Sequence, residues 1–431
     1  MLYSNLGVNE KGHLTIAGAD AVTLLEEYGS PLMVLDENRV RENCRTYIRA
    51  VAQYLPSGSK PLYAGKAFCF KGLYGILADE GMGADVVSPG ELYVANAAKF
   101  PLENVYFHGN NKTDADIAFG IESGIGRFVA DNREELCSID RIAGEHGVRQ
   151  RILLRLSPGI DPHTHAKINT GRVDSKFGTA IETGQAMELL GFALTLKNVE
   201  VEGFHCHIGS QIFESEPFCD AAEIMLQFAA DAKKAYGFVT KYINLGGGFG
   251  VRYVESHPTI DIPDNIRKLG ETVSACCTKH NVTPPAILLE PGRSIIADAC
   301  TTLYTIGSVK TITGYKSYVS IDGGMTDNPR YALYGSEYTI LNASKADKPA
   351  DFVCTVAGRC CESGDLIAED IAIANPARGD VLAVLTTGAY NYSMASNYNR
   401  ICRPAVIILK DGEARIGIRR ETFADLVQFD M

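Results

Sequence analysis

Short apolar runs rich in β-branched and aromatic residues recur along the chain as far as residue 290, with stretches of helical spacing between them. The runs predict eight strands, at residues 61–64, 83–87, 104–108, 126–130, 151–156, 199–207, 241–245 and 286–290. The helical stretches include residues 90–99, 132–146 and 217–236. Strands that alternate with helices pair in parallel, and eight such units predict a (β/α)₈ barrel. A doubly wound open sheet is the competing interpretation, because periodicity does not reveal whether a sheet closes.

The pattern changes after residue 291. From there the chain contains strand-like runs joined by glycine and aspartate turns, and few long amphipathic helices separate them. Such runs predict a second, mostly antiparallel β domain. The first 35 residues are also turn-rich and strand-like, so we expect them to join it. The predicted domains are therefore a barrel at residues 36–290 and a discontinuous β-rich domain at residues 1–35 and 291–431.

Composition excludes several classes of protein. The chain has 431 residues and a formal net charge of −11, whereas a nucleic-acid-binding protein needs a basic patch. No apolar run is long enough to span a membrane, and the N-terminus lacks the basic-then-apolar order of a signal peptide. The 12 cysteines are scattered and include no CxxC pair. These features predict a cytoplasmic protein whose thiols stay reduced.

Polar or glycine motifs follow six of the eight predicted strands. In a (β/α)₈ barrel the carboxyl ends of all strands meet at one face, where reactive groups gather. The motif residues, in chain order, are Lys66, Ser88, Glu91, His108, Asn111, His205, His207, Ser210, Gly246, Gly247, Gly248, Glu290 and Arg293. We therefore expect a site at this face of the barrel.

Each motif also has a structural interpretation. The glycines at 246–248 suit a tight turn, although bare backbone N–H groups after a strand also bind phosphate. His205 and His207 project to the same side of a strand and resemble a metal pair, but no third ligand is evident, so no metal is predicted. A flat imidazole can instead pack on a planar cofactor. The "EPGR" segment that contains Glu290 is also compatible with an ordinary helix start.

One cofactor accounts for a lysine amine, a phosphate nest, a ring partner and a carboxylate together. Pyridoxal 5′-phosphate needs a lysine that holds it covalently, a phosphate site and a partner for its pyridine nitrogen. Lys66 is the predicted lysine, because a lysine at the end of a buried strand is costly without a partner or a task.

Nine short motifs support a resemblance over nearly the whole chain. In order they are "YAGKAF", "DVVSPGEL", "FHGNNK", "SKFG", "HIGSQ", "GGGFG", "EPGR", "CESGD" and "GAY". The chain resembles the diaminopimelate decarboxylase family of fold type III, alanine-racemase-like pyridoxal-phosphate enzymes. The resemblance implies a barrel with a flanking β domain and a homodimer. It also implies decarboxylation of meso-2,6-diaminopimelate to L-lysine and CO₂, the last step of lysine biosynthesis.

The resemblance further implies residue roles. Lys66 would hold the cofactor, His207 would stack on its ring, and Glu290 would pair with its ring nitrogen. The phosphate would be held by Ser210, Gly246, Gly247, Gly248 and Gly292. The substrate would be held by Arg293, Arg330, Tyr334 and Glu362, while Arg293 and Tyr390 would also contact the cofactor. Cys361 would supply a proton, and it would enter the site of the other subunit together with Glu362.

Two alternatives remain from the sequence. A decarboxylase of the same fold could act on ornithine, arginine or carboxynorspermidine, but these substrates lack a second amino-acid head, so Arg330 together with Glu362 favours diaminopimelate. A non-catalytic or regulatory pyridoxal-phosphate protein could keep Lys66 and lose Cys361 or the substrate arginines. All of these residues are present here.

Overall fold

The computed structural model describes residues 3–160 and 176–431, and its backbone divides into two compact units. The barrel unit comprises Asn43–Val251 and Thr259–Ser294. The second unit comprises Met1–Glu42, Arg252–Pro258 and Ile295–Met431. The domain bounds predicted from the sequence stay a prediction, since compactness alone does not define a folding unit.

Strands and helices account for most of the described chain. The strands are β1 (Leu6–Val8), β2 (Leu14–Ile16), β3 (Ala19–Asp20), β4 (Leu32–Asp36), β5 (Lys60–Ala64), β6 (Gly83–Val86), β7 (Val105–Phe107), β8 (Arg127–Ala130), β9 (Gln150–Ser157), β10 (Thr179–Ala180), β11 (Val199–His205), β12 (Tyr242–Asn244), β13 (Ala286–Leu289), β14 (Cys300–Ile312), β15 (Lys316–Ile321), β16 (Ile340–Asn342), β17 (Phe352–Ala357), β18 (Leu366–Ile373), β19 (Val381–Leu385), β20 (Ala405–Lys410) and β21 (Glu413–Ile418). The helices are α1 (Ala21–Tyr28), α2 (Glu37–Tyr54), α3 (Lys71–Asp79), α4 (Pro89–Ala97), α5 (Asp114–Glu122), α6 (Arg133–Glu145), α7 (Gln185–Ala193), α8 (Glu216–Tyr236), α9 (Ile262–His280), α10 (Arg293–Ile296), α11 (Arg330–Tyr334) and α12 (Phe423–Val427).

The barrel prediction is confirmed. Its eight parallel strands follow the order β5, β6, β7, β8, β9, β11, β12 and β13, and all eight coincide with the predicted runs. β13 pairs with β5, where Leu288 lies opposite Lys60, and β8 pairs with β9. The sheet is therefore closed, and the open-sheet alternative is wrong.

Local signals set the helix bounds. Helix α4 begins with Pro89 in its first turn, and the Ser88 side chain accepts the N–H of Glu91. Helix α8 ends at Gly237, whose φ of +66° is in the left-handed region that favours glycine. The helices predicted at residues 90–99, 132–146 and 217–236 are confirmed as α4, α6 and α8.

The barrel combines apolar packing with a buried ion pair between Arg127 and Glu202. The apolar cluster contains Leu62, Tyr106, Val129, Leu153 and Leu288. Arg127 Nε donates to Glu202 Oε2 at 2.6 Å, and the Arg127 guanidinium lies 4.5 Å from the ring centroid of Tyr242. Both charged residues are buried, so each depends on the other for its solvation.

The second unit contains a nine-stranded sheet and a small three-stranded sheet of β1, β2 and β3. Most strand pairs are antiparallel, as predicted. Two pairs, β15 with β17 and β20 with β4, are parallel, which makes the large sheet mixed. Strand β4 pairs with both β14 and β20, so the N-terminal segment shares a sheet with the C-terminal strands. No helix in the described ranges is long and apolar enough to cross a lipid bilayer.

Replacing Arg127 by alanine is expected to destabilise the barrel. Among the residues that the structure describes, the buried Glu202 carboxylate would then keep a single cation, Lys241, whose Nζ lies 3.2 Å from Glu202 Oε1. Loss of one partner of a buried pair costs about 3 kcal/mol. Arg267→Ala is the matched control, because Arg267 pairs with Asp264 and Glu271 at the surface, where solvent screening leaves such pairs little effect on stability. Urea midpoints of both variants measure the difference, and equal losses would contradict the account.

Candidate active site

Lys66 lies in a short 3₁₀ turn that directly follows β5. Gly65 forms the same turn, and a Cβ at this position would lie 2.6 Å from Tyr74 Oη and 2.9 Å from the Asp85 carbonyl. The turn therefore needs a glycine in order to pass the neighbouring strand. As a result Lys66 follows the strand at once, and its side chain is exposed at the carboxyl end of the barrel.

Two carboxyl groups share the electrostatic environment of Lys66. Burial raises the pKa of Asp85, and Glu290 adds to this effect, while His108, Lys66 and Arg155 oppose it. Burial also raises the pKa of Glu91 to about 7, although its Oε2 accepts the N–H of Val87 at 2.8 Å.

Glu290 follows β13, and its carboxylate is contacted by one amide and two imidazoles from three other strand ends. Asn244 Nδ2 donates to Oε1 at 2.6 Å, and His205 Nε2 donates to Oε2 at 3.2 Å. His108 Nε2 lies 2.9 Å from Oε1. Burial alone favours the protonated acid, but His108 and His205 outweigh it and hold the pKa of Glu290 well below its ordinary value.

The imidazoles of this cluster are close-packed and buried. The rings of His108 and His205 form an edge-to-face pair with centroids 4.8 Å apart. Burial lowers the pKa of His205 to about 3, against the pull of Glu290. His205 is therefore neutral near pH 7, and its Nε2 carries the hydrogen that Glu290 accepts.

His207 lies two residues after His205 and contacts the glycine loop after β12. Its Nδ1 accepts the N–H of Gly247 at 3.3 Å, which places the hydrogen of a neutral ring on Nε2. Burial lowers the pKa of His207 well below its ordinary value, and the nearby Lys66 and Arg155 cations add to this effect. A neutral, flat ring in this position suits stacking on a planar cofactor.

The loops after β11, β12 and β13 adjoin one another. A Cβ at Gly247 would lie 2.0 Å from the Glu290 carbonyl, and one at Gly248, whose φ is +121°, would lie 2.5 Å from the Gly209 carbonyl. Only glycines allow these backbones to approach so closely. The buried Arg293 donates from Nη2 to Ser210 Oγ at 3.0 Å and brings a positive charge to the same place.

These loops fit a phosphate group. Within the described part of the chain, the N–H groups of Gly209, Ser210, Gly248 and Gly292 have no acceptor. Unused backbone N–H groups beside an arginine form an anion site. With Lys66, His207 and Glu290 at the same end of the barrel, the residues present fit pyridoxal phosphate in its amine, ring and phosphate requirements.

Three predicted substrate residues lie together in the second unit. The Arg330 guanidinium lies 5.0 Å from the ring centroid of Tyr334 and 5.4 Å from that of Tyr390. Arg330 is buried and begins α11. The two rings hold its planar guanidinium in a fixed orientation, which suits recognition of a carboxylate.

Cys361 and Glu362 lie in an exposed loop of the same unit, and their side chains face solvent. The loop is held by the buried carboxylate of Asp365, which accepts the N–H of Met325 at 2.6 Å and that of Cys360 at 2.7 Å. The N–H of Cys361 donates to Asn399 Oδ1 at 2.8 Å. A fixed backbone therefore presents two exposed polar side chains.

The comparisons with known proteins agree with this geometry. The family described as "Pyridoxal-dependent decarboxylase, pyridoxal binding domain" matches residues 38–297. Diaminopimelate decarboxylase of Bacillus subtilis is 43% identical over 425 residues, which cover 98% of this chain and 96% of that protein. This chain belongs to the diaminopimelate decarboxylase family. The predicted resemblance and the pyridoxal cofactor are thereby confirmed.

Solved structures extend the comparison. The diaminopimelate decarboxylase of M. jannaschii in co-complex with L-lysine has a TM-score of 0.90 and 35% identity, and the match covers 99% of this chain and 98% of that one. Lysine/ornithine decarboxylase of Vibrio vulnificus, complexed with cadaverine, has a TM-score of 0.75 at 23% identity, with 90% and 97% covered. At that identity the likeness shows the fold alone.

The structure places the predicted site residues in two groups. The barrel group comprises Lys66, His207, Ser210, Gly246, Gly247, Gly248, Glu290, Gly292 and Arg293, and the second-unit group comprises Arg330, Tyr334, Cys361, Glu362 and Tyr390. Each residue's role stays a prediction. Ser175, which begins the "SKFG" motif, lies outside the described residues.

Three further residues near Glu290 were not predicted for this decarboxylase site. Asp85, Arg155 and Asn244 lie on β6, β9 and β12, within or beside runs interpreted only as apolar strands. Asp85 and Asn244 are buried, and the Arg155 guanidinium lies 3.8 Å from Asp131 Oδ1. The available signal was a polar residue inside a strand that is otherwise apolar.

His205 and His207, which resemble a metal pair in the sequence, make different contacts in the structure. Among the described residues, the ligand atoms of His108, His205 and Glu290 lie within 4.8 Å of one another, a spacing that could hold a metal ion, and His207 is not part of this trio. Both Glu290 oxygens already accept N–H groups, so the trio forms a hydrogen-bonded cluster as it stands. The prediction that the site uses no metal stays a prediction.

A buried acid lies near Arg330 in the chain. Asp327 Oδ1 accepts the N–H of Gly324 at 3.0 Å, and Oδ2 accepts a hydrogen bond from Tyr304 Oη. Burial raises the pKa of Asp327 to about 7 despite these two bonds. The group is therefore partly protonated near neutral pH.

Asp327→Asn is expected to flatten the dependence of stability on pH. The pKa of Asp327 is about 7 in the folded state, and that of an aspartate in the unfolded chain is about 4. Between these two pH values the folded state binds more protons than the unfolded state, so stability falls as pH rises. The asparagine amide oxygen accepts only one of the two hydrogen bonds, and this loss lowers stability by the same amount at every pH. The readout is therefore the slope of the urea midpoint against pH.

Asp264→Asn is the matched control. Hydrogen bonds from Arg267 and Lys268 lower the pKa of Asp264, so its contribution to stability is lost as pH falls. This variant should keep the parent's fall in stability towards pH 7. If Asp327→Asn also keeps it, Asp327 is not the group responsible.

Proposed function

We propose that this chain decarboxylates meso-2,6-diaminopimelate to L-lysine and CO₂, as the last step of lysine biosynthesis. The observation that carries the proposal is the grouping of Lys66, His207 and Glu290 at one end of a barrel, in a chain similar over its full length to diaminopimelate decarboxylases. We expect the enzyme in the cytoplasm, where amino acids are made and cysteines stay reduced.

The barrel residues hold and tune the cofactor. Pyridoxal phosphate supplies an acceptor for the electron pair that remains when CO₂ leaves. Lys66 would hold it covalently through Nζ and release it to the substrate amine. His207 would face the ring as a neutral imidazole, and Glu290 would keep a proton on the ring nitrogen. Ser210, Arg293 and the backbone N–H groups of the glycine loop would hold the phosphate.

Recognition of the far end of the substrate would set specificity. Diaminopimelate carries a second amino-acid head, with a carboxylate and an ammonium group. Arg330, between Tyr334 and Tyr390, would bind that carboxylate, and Glu362 would bind the ammonium. The carboxylate that is lost should lie away from any cation, since a cation would stabilise it in the ground state. The solved M. jannaschii relative binds L-lysine, which supports an amino-acid site.

The exposed loop at Cys361 suggests a shared site. Its backbone is fixed while the side chains of Cys361 and Glu362 face solvent, as expected for residues that act in a second copy of the chain. Cys361 would there supply the proton that the α-carbon receives after CO₂ leaves. A two-fold dimer would contain two such composite sites.

A substrate panel tests the assignment. We expect kcat/KM for meso-diaminopimelate to exceed that for ornithine, arginine, carboxynorspermidine and lysine by at least about a hundredfold, or about 2.7 kcal/mol. Arg330→Ala should lower kcat/KM for diaminopimelate about a hundredfold and leave cofactor retention unchanged, while Arg267→Ala should change neither. Faster turnover of ornithine or arginine would overturn the substrate assignment and leave the fold intact.

Mixing two inactive variants tests the shared site. Lys66→Ala and Cys361→Ala damage different parts of one composite site, so a mixed dimer has one site with both lesions and one with neither. Random exchange makes half of the dimers mixed, so activity should return to about a quarter of the parent value. Lys66→Ala mixed with the Lys66→Ala/Cys361→Ala double variant is the control and should stay inactive. A first mixture that stays inactive after proven exchange would show that Cys361 acts within its own chain.

A further inference from the structure

The carboxylate of Glu290 is buried at the barrel end and is contacted by three polar side chains. It is 6% exposed, and in the described residues its oxygens are approached by Asn244, His108 and His205 alone. Each of these side chains comes from a different strand end. The carboxylate therefore has a fixed position and a fixed set of donors.

Two opposing effects decide where a proton rests at Glu290. Burial in an apolar site favours the neutral acid and makes the carboxylate a stronger base. Hydrogen bonds to the ionised form make it a weaker base. At Glu290 the electrostatic attraction of His108 and His205, and then their hydrogen bonding, outweighs burial and holds the pKa of Glu290 well below its ordinary value. Because His205 is neutral, it donates a hydrogen bond without cancelling the negative charge.

The other charged and titratable groups around Glu290 do not replace these donors. Asp85, Arg155, Cys206 and His207 interact with its charge, and in the described residues Asp85, Arg155 and Cys206 form no hydrogen bond to it. Asp85 opposes the charge and Arg155 supports it. The two histidines, together with the Asn244 amide, are therefore the groups in contact with the Glu290 oxygens, and the histidines are those that lower its pKa.

The two imidazoles are held in place. Their edge-to-face contact, with planes at 73°, fixes each ring against the other. The turn after His108 is fixed by the buried Lys112, whose Nζ donates to the Gly109 carbonyl at 2.8 Å, the Val129 carbonyl at 2.9 Å and Glu135 Oε1 at 2.6 Å. This anchoring limits the movement of His108 relative to Glu290.

We propose that His108 and His205 are positioning residues that keep the proton of the Glu290–cofactor pair on the ring nitrogen. The inference rests on the proposed function, in which Glu290 pairs with that nitrogen. A Glu290 without its imidazole donors would be basic enough to take the proton itself. The ring would then be neutral and a poorer acceptor of electrons.

The ¹⁵N chemical shift of the ring nitrogen tests this, in protein loaded with cofactor labelled at that atom. In the parent we expect a protonated ring from about pH 6 to pH 9. His108→Leu and His205→Leu should each shift the signal towards the unprotonated value, while His108→Gln and His205→Gln, which keep an N–H donor, should restore most of it. The leucine variants should lose at least about tenfold in kcat, or about 1.4 kcal/mol of barrier, with KM within about threefold.

A second arm shows whether the histidines act through Glu290. Glu290→Gln removes the carboxylate and should leave the ring nitrogen unprotonated. Adding His205→Leu to Glu290→Gln should then cause no further shift, because the residue through which it acts is gone. His108→Met and His205→Met provide a second donor-free pair, closer to histidine in volume, should His108→Leu or His205→Leu fail to fold.

The outcomes are distinguishable. Folded, cofactor-loaded variants without the donors that keep a protonated ring would overturn the inference, and so would an equal shift from His205→Leu in the presence and absence of Glu290. Failure of the proposed function is seen separately, as a parent protein that does not convert diaminopimelate although its ring signal responds as described.

Discussion

Pairing of the last barrel strand with the first is the constraint on which the site depends. Lys66 and Glu290 are far apart in sequence, and β13 and β5 become neighbours only because the sheet closes. The link continues past the strands, where the N–H of Ala64 donates to the Pro291 carbonyl at 3.2 Å. One backbone hydrogen bond thus joins the segment that ends at Lys66 to the segment that follows Glu290. Any change that opens this seam would separate Lys66, the proposed covalent anchor of the cofactor, from Glu290, the proposed partner of its ring.

Among the described residues, the carboxyl groups of Asp85 and Glu290 at the barrel end do not form simple one-to-one ion pairs. Asp85 and Glu290 are buried carboxyl groups, while Lys66 and Arg155 supply positive charge, and neutral imidazoles lie between them. Pyridoxal phosphate brings a cationic ring nitrogen and an anionic phosphate. These complement the carboxylate end and the glycine–arginine end of the site. The protein therefore has opposite charges at the two ends of the proposed site, which would fix the direction in which the cofactor binds.

Much of this arrangement could be predicted from the sequence. The eight barrel strands are buried on both faces and so appear as apolar runs, and the site motifs follow them directly. Closure of the sheet could not be predicted from periodicity, and neither could the parallel pairs β15–β17 and β20–β4, since register between distant strands leaves no local signal. The positions of Asp85, Arg155 and Asn244 in the site could not be predicted, because one polar residue hardly changes the pattern of an apolar run. His108 and His205 were seen as strand-end residues, but their shared contact with Glu290 exists only in three dimensions.

The most direct test of the account is the orientation of the cofactor in a crystal structure of the pyridoxal-phosphate-loaded protein. We expect a covalent bond from Lys66 Nζ, the phosphate against Ser210 and Gly248, and a Glu290 oxygen within about 3 Å of the ring nitrogen. Asp85 is the informative competitor, because it is a second buried carboxyl group at the same end of the barrel. A ring nitrogen paired with Asp85, or a ring turned so that Glu290 faces any other atom, would contradict the account.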